Sequence, residues 1–327
     1  MAEQVTVKNT PKLHLDWNNL AQMEWDSLLE EVGYSALQQS WGYGSALKER
    51  RAKVRRIVAY EGNRPVALAQ VIIRSWFGIV KVASLMRGPV WLGDVTPAMK
   101  KEVFSLLRRL YARRKLRFLF ITPEDWHQEE GNLLEQACLK QVVTGYTTLF
   151  LDLNKSEQDL WAGLYGKWRN QVRRAEKEEL FVHFGDHLHP RAEWLLSREK
   201  KQQRDKNYKA LPVGLVDAFA RHSLGRDVVT TAFVFKKGAN PERDDPVAGA
   251  VFLRHGTSAT YHIGWNGREG RKLQAMNILL WKSILELKRK GSCLLDIGGI
   301  NTADGAEIAR FKLSTGGEVV TLPGTYL

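Results

Sequence analysis

The sequence predicts an α/β (α+β) protein assembled from two tandem copies of one unit. The first observation is a repeated opening. Pro65-Val66-Ala67 and Pro246-Val247-Ala248 each come after a turn and begin an apolar run of strand type. The second is the shared order of segments after each triplet. A further strand-like segment comes at 79–85 and at 258–264, a long amphipathic helix at 97–115 and at 273–290, and a short apolar strand at 117–122 and at 293–297. Strand, strand, helix, strand occurring twice at one long period is the pattern of a duplicated α/β unit. The third is length: 327 residues exceed one small core and suit two domains. The division is placed after residue 145, giving segments 1–145 and 146–327.

Residues 26–32 read as a helix, and 39–53 carry another. The run 55–60 is a strand entering the Gly62-Asn63 turn. In the first long helix Val103, Leu106, Leu107, Leu110 and Tyr111 share one face. In the second, Met276, Leu279, Leu280, Ile284 and Leu287 do the same. The run 147–153 is a strand opening the second half, and Asn154 or Ser156 caps the helix after it, with Asp159 at capping-box distance from Ser156. Residues 238–245 form a polar, exposed hairpin tip. Gly267 to Lys272 read as a helix-entry turn. Asp296-Ile297-Gly298-Gly299-Ile300 ends a buried strand in a glycine turn.

Composition excludes several classes. With 44 % hydrophobic and 26 % charged residues the chain is globular. No apolar run approaches the ~18 residues of a membrane span, and the start lacks a signal peptide, so a cytoplasmic protein is expected. Cys138 and Cys293 cannot make a disulfide framework and read as buried thiols. The net charge of +13 is spread through the chain. Residues 1–145 carry 21 basic against 15 acidic side chains, and 146–327 carry 28 against 21. A folded surface of this sign attracts phosphates, RNA or an anionic membrane face.

The densest basic helix is 167–177. Arg169, Arg173 and Lys177 fall at i, i+4 and i+8 on one face, and with Lys167 they form a candidate phosphate or tRNA contact, with Trp168 beside them to stack or to join the core. A second basic stretch runs over 198–209. Arg108, Arg109 and Arg113 to Lys115 lie on the polar side of a helix and read as a solvated face. His183, His187 and His189 around Asp186 lack metal-site spacing, and no metal is expected. No GxSxG or HExxH motif is present.

With these pieces in place, the chain resembles the Fem-type aminoacyltransferases (FemABX) and the related domains of the GNAT acetyltransferase superfamily. The resemblance rests on Gln39-Ser40-Trp41 leading to Lys48, on Arg87-Gly88-Pro89-Val90-Trp91, on 148–153 and on 167–177. It continues through Tyr261-His262-Ile263-Gly264 and 296–300 and ends in Phe311-Lys312. It implies two tandem GNAT-like domains, without the coiled-coil arm of some members, because nothing between Lys177 and Thr230 is long enough. It also implies transfer of an amino acid from aminoacyl-tRNA to an amine of a peptidyl or peptidoglycan-precursor acceptor. By this resemblance Lys48 and Arg204 grip the acceptor's diphosphate, with Trp41, Tyr208 and Tyr261 lining its site, and Phe311-Lys312 faces the aminoacyl ester. No resident cofactor is implied. The partners would be tRNA and a phosphate-bearing acceptor, with peripheral contact at an anionic membrane face.

The chemistry expected is attack of an amine on an activated acyl carbonyl. Lys312 would stabilise the oxyanion, and Asp296 or the substrate's own oxygens would take the proton. Two other readings use the same residues: an N-acyltransferase with an acyl-CoA or acyl-carrier-protein donor, and a non-catalytic RNA- or membrane-surface-binding protein.

Overall fold

The computed structural model describes residues 13–76, 80–111, 117–126, 130–205, 212–225, 227–300 and 305–327. The first unit runs β1 (Leu13–Trp17), α1 (Gln22–Glu30), α2 (Trp41–Glu49), β2 (Lys53–Glu61), β3 (Arg64–Trp76), β4 (Val80–Met86), β5 (Val90–Trp91), α3 (Pro97–Leu110), β6 (Arg117–Thr122), α4 (Glu130–Gln136) and β7 (Gln141–Val143). The second runs β8 (Thr147–Asp152), α5 (Glu157–Gly163), α6 (Gly166–Lys177), β9 (Phe181–Gly185), α7 (Pro190–Asp205), α8 (Leu215–His222), β10 (Val229–Phe235), β11 (Ala248–His255), β12 (Ser258–Asn266), α9 (Arg268–Lys272), α10 (Ala275–Arg289), β13 (Leu294–Asp296), α11 (Ala306–Leu313), β14 (Glu318–Thr321) and β15 (Thr325–Tyr326).

Local chemistry explains the boundaries. Ser40, Thr96 and Ser156 cap α2, α3 and α5 by accepting the N–H groups of Tyr43, Met99 and Asp159, and Pro97 sits in the first turn of α3. The two Pro-Val-Ala triplets open the equivalent strands β3 and β11. Each leads through an antiparallel neighbour and a long helix to a strand parallel to that neighbour: β4 with β6, and β12 with β13. The first helix starts at Gln22, four residues earlier than the sequence pattern indicates, and the turn at 268–272 is a short helix.

Each unit has its own sheet. The orders are β1-β2-β3-β4-β6-β15-β7, with β5 on β3, and β14-β8-β13-β12-β11-β10-β9. In the first sheet α3 and α4 cover one face through Phe104, Leu107 and Leu134, while Trp25 and Leu29 of α1 pack on the other. In the second, α6 and α10 cover one face through Trp168, Val172, Leu279 and Ile284. The opposite face packs on α7 and α8 and also on α2, through Tyr43, Ala46 and Leu47. The units therefore share a core. Gly42 allows it: a Cβ there would fall 2.0 Å from Ser223 Oγ and 3.2 Å from the Phe219 ring.

The division after residue 145 falls between β7 and β8, but the last strand crosses it. β15 leaves the second unit and inserts between β6 and β7 of the first sheet, with Tyr326 opposite Ile121 and buried. The expected burial of the thiols is corrected. Cys138 is exposed in the turn after α4, where its φ is +62° and Ala137 and Leu139 fill the core instead; Cys293 is half-buried. Arg108 and Arg109 are solvated as expected, whereas 113–115 lie outside the described residues. Among the described residues no helix is long and apolar enough to cross a membrane, and no histidine, cysteine and carboxylate group could hold a metal ion.

Truncating a buried aromatic costs about 3–5 kcal/mol. Tyr326→Ala should therefore destabilise the first unit by several kcal/mol in urea unfolding. It should also release amide-exchange protection in β6 and β7 before β10 and β11; uniform loss across both sheets would show that β15 does not staple the first.

Candidate active site

The two units differ in how their parallel pairs end. In the first, the parallel pair β4/β6 stays together from Lys81↔Arg117 to Met86↔Thr122. In the second, β12/β13 pair only from Ser258↔Leu294 to Thr260↔Asp296, although β12 runs on to Asn266. Past Asp296 the chain runs along β8 instead: Ile297 N–H donates to the Leu149 carbonyl at 2.9 Å and Ile300 N–H to the Thr147 carbonyl at 2.7 Å. A wedge opens between β12, from Tyr261 onward, and Gly298-Gly299. Gly298 has φ +80°, and an added Cβ would lie 3.5 Å from Lys312 Nζ.

A β-bulge sits on the wedge. Val251 pairs with Ile263 and Phe252 with Tyr261, so His262 is the extra residue, outside the ladder with β11. Beyond it Ile263 and Trp265 pack with the α7/α8 core. By strand alternation His262 and Gly264 take the opposite face, the one that carries α6 and α10. Tyr261 lies on that face too, 5.4 Å from the Phe252 ring. Its hydroxyl rests over Gly264, where a Cβ would fall 1.6 Å from it, so a side chain there would displace the Tyr261 ring. The His262 ring Nε2 is shielded and has no hydrogen-bond partner among the described residues. Burial pushes its pKa down to about 4, which leaves a neutral imidazole.

α11 brings Phe311 and Lys312 to the same place. The Phe311 ring lies 5.9 Å from that of Trp168 on α6. Lys312 Nζ donates to the Gly299 carbonyl at 3.0 Å. Burial pulls the Lys312 pKa below the usual lysine range, and the Asp296 charge opposes that shift.

Behind the wedge lies a buried ionic network that joins the units. Arg87, just after β4, donates to Asp296 at the end of β13 at 2.5 Å. It also donates to Glu124 at 2.5 and 2.8 Å and to the Tyr34 hydroxyl at 2.6 Å. Burial alone would lower the Arg87 pKa, but Tyr34, Glu124 and Asp296 together raise it well above normal. Trp126 stacks on Phe150 at 4.4 Å, and the Tyr34 ring stands edge-on to Phe150 at 5.1 Å, so an aromatic shell keeps water from these charges. The cation at the centre of the seam is therefore compensated: one guanidinium meets two carboxylates. The role of Asp296 as proton acceptor is corrected as well. Its Oδ2 accepts from Arg87, its Oδ1 from Thr148 Oγ1 at 2.9 Å and Gly298 N–H at 2.8 Å, and it is 1 % exposed. It positions the glycine turn, and both its oxygens already accept hydrogen bonds.

The other expected site residues are dispersed. The Trp41 ring carries the Arg56 guanidinium 3.4 Å from its centroid. Lys48 is exposed at the end of α2, with its pKa lowered by burial and by the Arg56 charge. Arg204 is exposed near the end of α7, and Tyr208 lies outside the described residues. No described contact joins Lys48 or Arg204 to Lys312. On α6 the cationic face differs from the one read by spacing. Arg169 is half-buried and folds back to donate to the carbonyls of Ala162 at 2.8 Å and Leu164 at 2.9 Å, the unsatisfied end of α5. Arg173 lies 5.5 Å from the Trp161 ring, and Lys177 is exposed. Lys167 and Arg174 instead line a groove of about 500 Å³ with Asn170, Gln171 and Gln274, at the start of α10, and neither cation has an ion pair among the described residues.

Arg87, Glu124, Tyr34 and His262 are the residues that sequence reasoning missed. Arg87 and His262 stand inside short motifs singled out above, but their partners lie in distant parts of the chain.

Removing one partner of a buried ion pair costs about 3–5 kcal/mol. Arg87→Met should do so in urea unfolding, since it strands Asp296 and Glu124; a change under about 1 kcal/mol would show that the network does not hold the seam. His255 is buried, its Nε2 2.9 Å from Thr260 Oγ1, and burial lowers its pKa from 6.5 to about 3. The unfolded chain binds that proton below 6.5 and the folded one does not, so stability is present above pH 6.5 and lost as pH falls toward 3. His255→Gln, which can keep the bond to Thr260, should flatten this acid limb in melts between about pH 7 and 4.

No protein-family model matches the sequence, and no curated protein sequence matches it significantly. Solved structures do. FemX superposes with a TM-score of 0.78 at 13 % identity, covering 95 % of this chain and 96 % of that one. A tandem GNAT protein from the clavulanic acid biosynthesis pathway gives 0.56 at 12 % identity, covering 96 % and 98 %. L-PGS from Bacillus licheniformis gives 0.55 at 15 % identity, covering 93 % and 90 %. The duplicated units, the parted parallel pair and these superpositions lead to one conclusion: the chain has the FemX-like fold of two GNAT-type units in tandem, with no coiled-coil arm among the described residues.

Proposed function

We propose that this protein is an acyltransferase of Fem type, moving an amino acid from aminoacyl-tRNA to an amine of a peptidyl or peptidoglycan-precursor acceptor. The observation that carries the reading is the Lys312 ammonium, held against the Gly299 carbonyl at the mouth of the only parallel pair that parts among the described strands. An extended acyl group fits such a wedge, because the unpaired edge of β12 offers backbone groups to it. The likeness to FemX supports an aminoacyl donor. The Lys167/Arg174 groove, on the helix whose Trp168 touches Phe311, supports a phosphate-bearing one.

In the reaction the acceptor nitrogen attacks the acyl carbon and a C–N bond forms. Negative charge builds on the carbonyl oxygen, where Lys312 stabilises it. The C–O bond to the ribose then breaks, and the proton lost by nitrogen ends on the departing hydroxyl oxygen, so no side-chain base is needed for balance. Holding both substrates in one wedge supplies much of the remaining rate. Lys48, Trp41 and Arg204 are assigned to the acceptor. An acyl-CoA donor is the second reading, favoured by the likeness to the tandem GNAT protein.

The test is donor-dependent acylation of candidate amines, with charged tRNA and with acetyl-CoA supplied separately. Loss of one oxyanion donor costs about 10²–10³-fold in turnover. Lys312→Ala should lose that much while donor binding holds; unchanged turnover would sink the assignment. Because the fold lowers the Lys312 pKa from 10.5, turnover should fall on the alkaline side below that value, as the ammonium is lost, and Lys312→Arg should move this limb upward.

A further inference from the structure

Several features lie outside the mechanism. The groove along β9 and α10 mixes apolar residues such as Phe181 and Leu285 with Glu176, Lys282, Glu286 and Arg289, and nothing identifies an occupant. Glu130, buried beside Trp91 and Lys100, supports α4 from within the first unit. The orphaned groups beside the wedge carry more.

Among the buried polar atoms that lack partners within the described residues are His262 Nε2 and Trp168 Nε1, on the α6/α10 side of the second sheet, with Ser283 Oγ on α10 a third. A buried group without a hydrogen bond costs roughly 1–3 kcal/mol, so such groups call for an explanation. Trp168 packs on Phe311, and His262 stands on the edge of β12 that faces the Gly298-Gly299 turn, whose carbonyl holds Lys312. The Trp168 ring lies 5.9 Å from Phe311, and His262 comes directly after Tyr261, two residues beyond Thr260, the last residue of β12 paired with β13. The bulge sets their arrangement. It leaves Tyr261 and His262 on one face, and Gly264, without a side chain, leaves that face open for the Tyr261 hydroxyl. Burial keeps the imidazole neutral, so with its proton on Nδ1 the ring accepts at Nε2. A carboxylate there would be stranded without a partner, and a cationic histidine would repel an amine.

We infer that His262 is a specificity residue: its Nε2 accepts a hydrogen bond from the α-amino group of the transferred aminoacyl unit, and Trp168 Nε1–H offers a donor to an oxygen of the same unit. This rests on the aminoacyl reading above and deepens it. A site built to hydrogen-bond an NH group rejects the analogue that lacks it, because its own polar atom is then left unpaired. The same wedge would thus refuse a plain acyl group.

The experiment compares an alanyl-RNA minihelix with the propionyl-RNA minihelix, which differs only by the amine. Wild type should favour the alanyl donor strongly in kcat/KM. His262→Phe should lose at least tenfold with the alanyl donor and change less than threefold with the propionyl donor, so that the preference collapses. Equal losses on both donors, or none, would overturn the assignment. A second measurement does not depend on turnover. The His262 ring nitrogen resonances of the full chain should shift on adding alaninamide and not on adding propionamide. Absence of a selective shift overturns the subsite even where transfer is observed; a selective shift with no transfer to any amine keeps the subsite and fails the transferase reading. His262→Gln, which retains an acceptor, should recover part of the alanyl preference.

Discussion

The ion pair of Arg87 with Asp296 is the contact on which the rest of the architecture turns. It joins the end of β4 in one unit to the end of β13 in the other, and its two partners are over two hundred positions apart in the chain. An ion pair withdrawn from water must be fully hydrogen-bonded to be tolerated. Here Arg87 makes three further bonds to Glu124 and Tyr34, Thr148 and the Gly298 amide donate to Asp296, and Trp126 and Phe150 close the shell. The consequence reaches the site. By holding the Gly298 N–H, Asp296 bends the chain away from β12, and that bend parts the ladder and aims the Gly299 carbonyl at Lys312.

Duplication explains why one wedge exists and not two. Both units have a parallel pair that ends in a glycine or proline turn, but in the first unit the pair is continuous and ends at the residue before Arg87. Arg87 thus occupies, as a structural cation, the end of the strand that matches β12. The first unit supplies the clamp and the second the opening. The shared core of α2 against α8 and the inserted β15 prevent the two from acting as independent bodies, so the geometry of the wedge depends on packing in both.

Charge and chemistry are separated in space. The net +13 suggests a cationic trough, yet the centre of the seam is compensated, and the unpaired cations lie along α6 and the ends of α2 and α7. In a low-dielectric interior an unpaired charge is expensive, while at the surface it is cheap and attracts phosphate over distance. The acyl chemistry and the electrostatic capture of a polyanion therefore occupy neighbouring but different surfaces.

The repeat, the strand and helix types, the cap at Ser156 and the Phe311-Lys312 pair are local properties. Backbone preference and apolar period act over a few residues, so the sequence alone determined them. The exchange of β15, the parting of β12 from β13 and the role of His262 at a bulge were decided by tertiary structure, because register between distant strands has no local signature. The same holds for Arg169 and Asp296. Their residue types suggested contact with substrate, but an arginine near an unsatisfied helix end and a carboxylate near a buried guanidinium are claimed by those partners first, and only the folded chain brings such partners within reach.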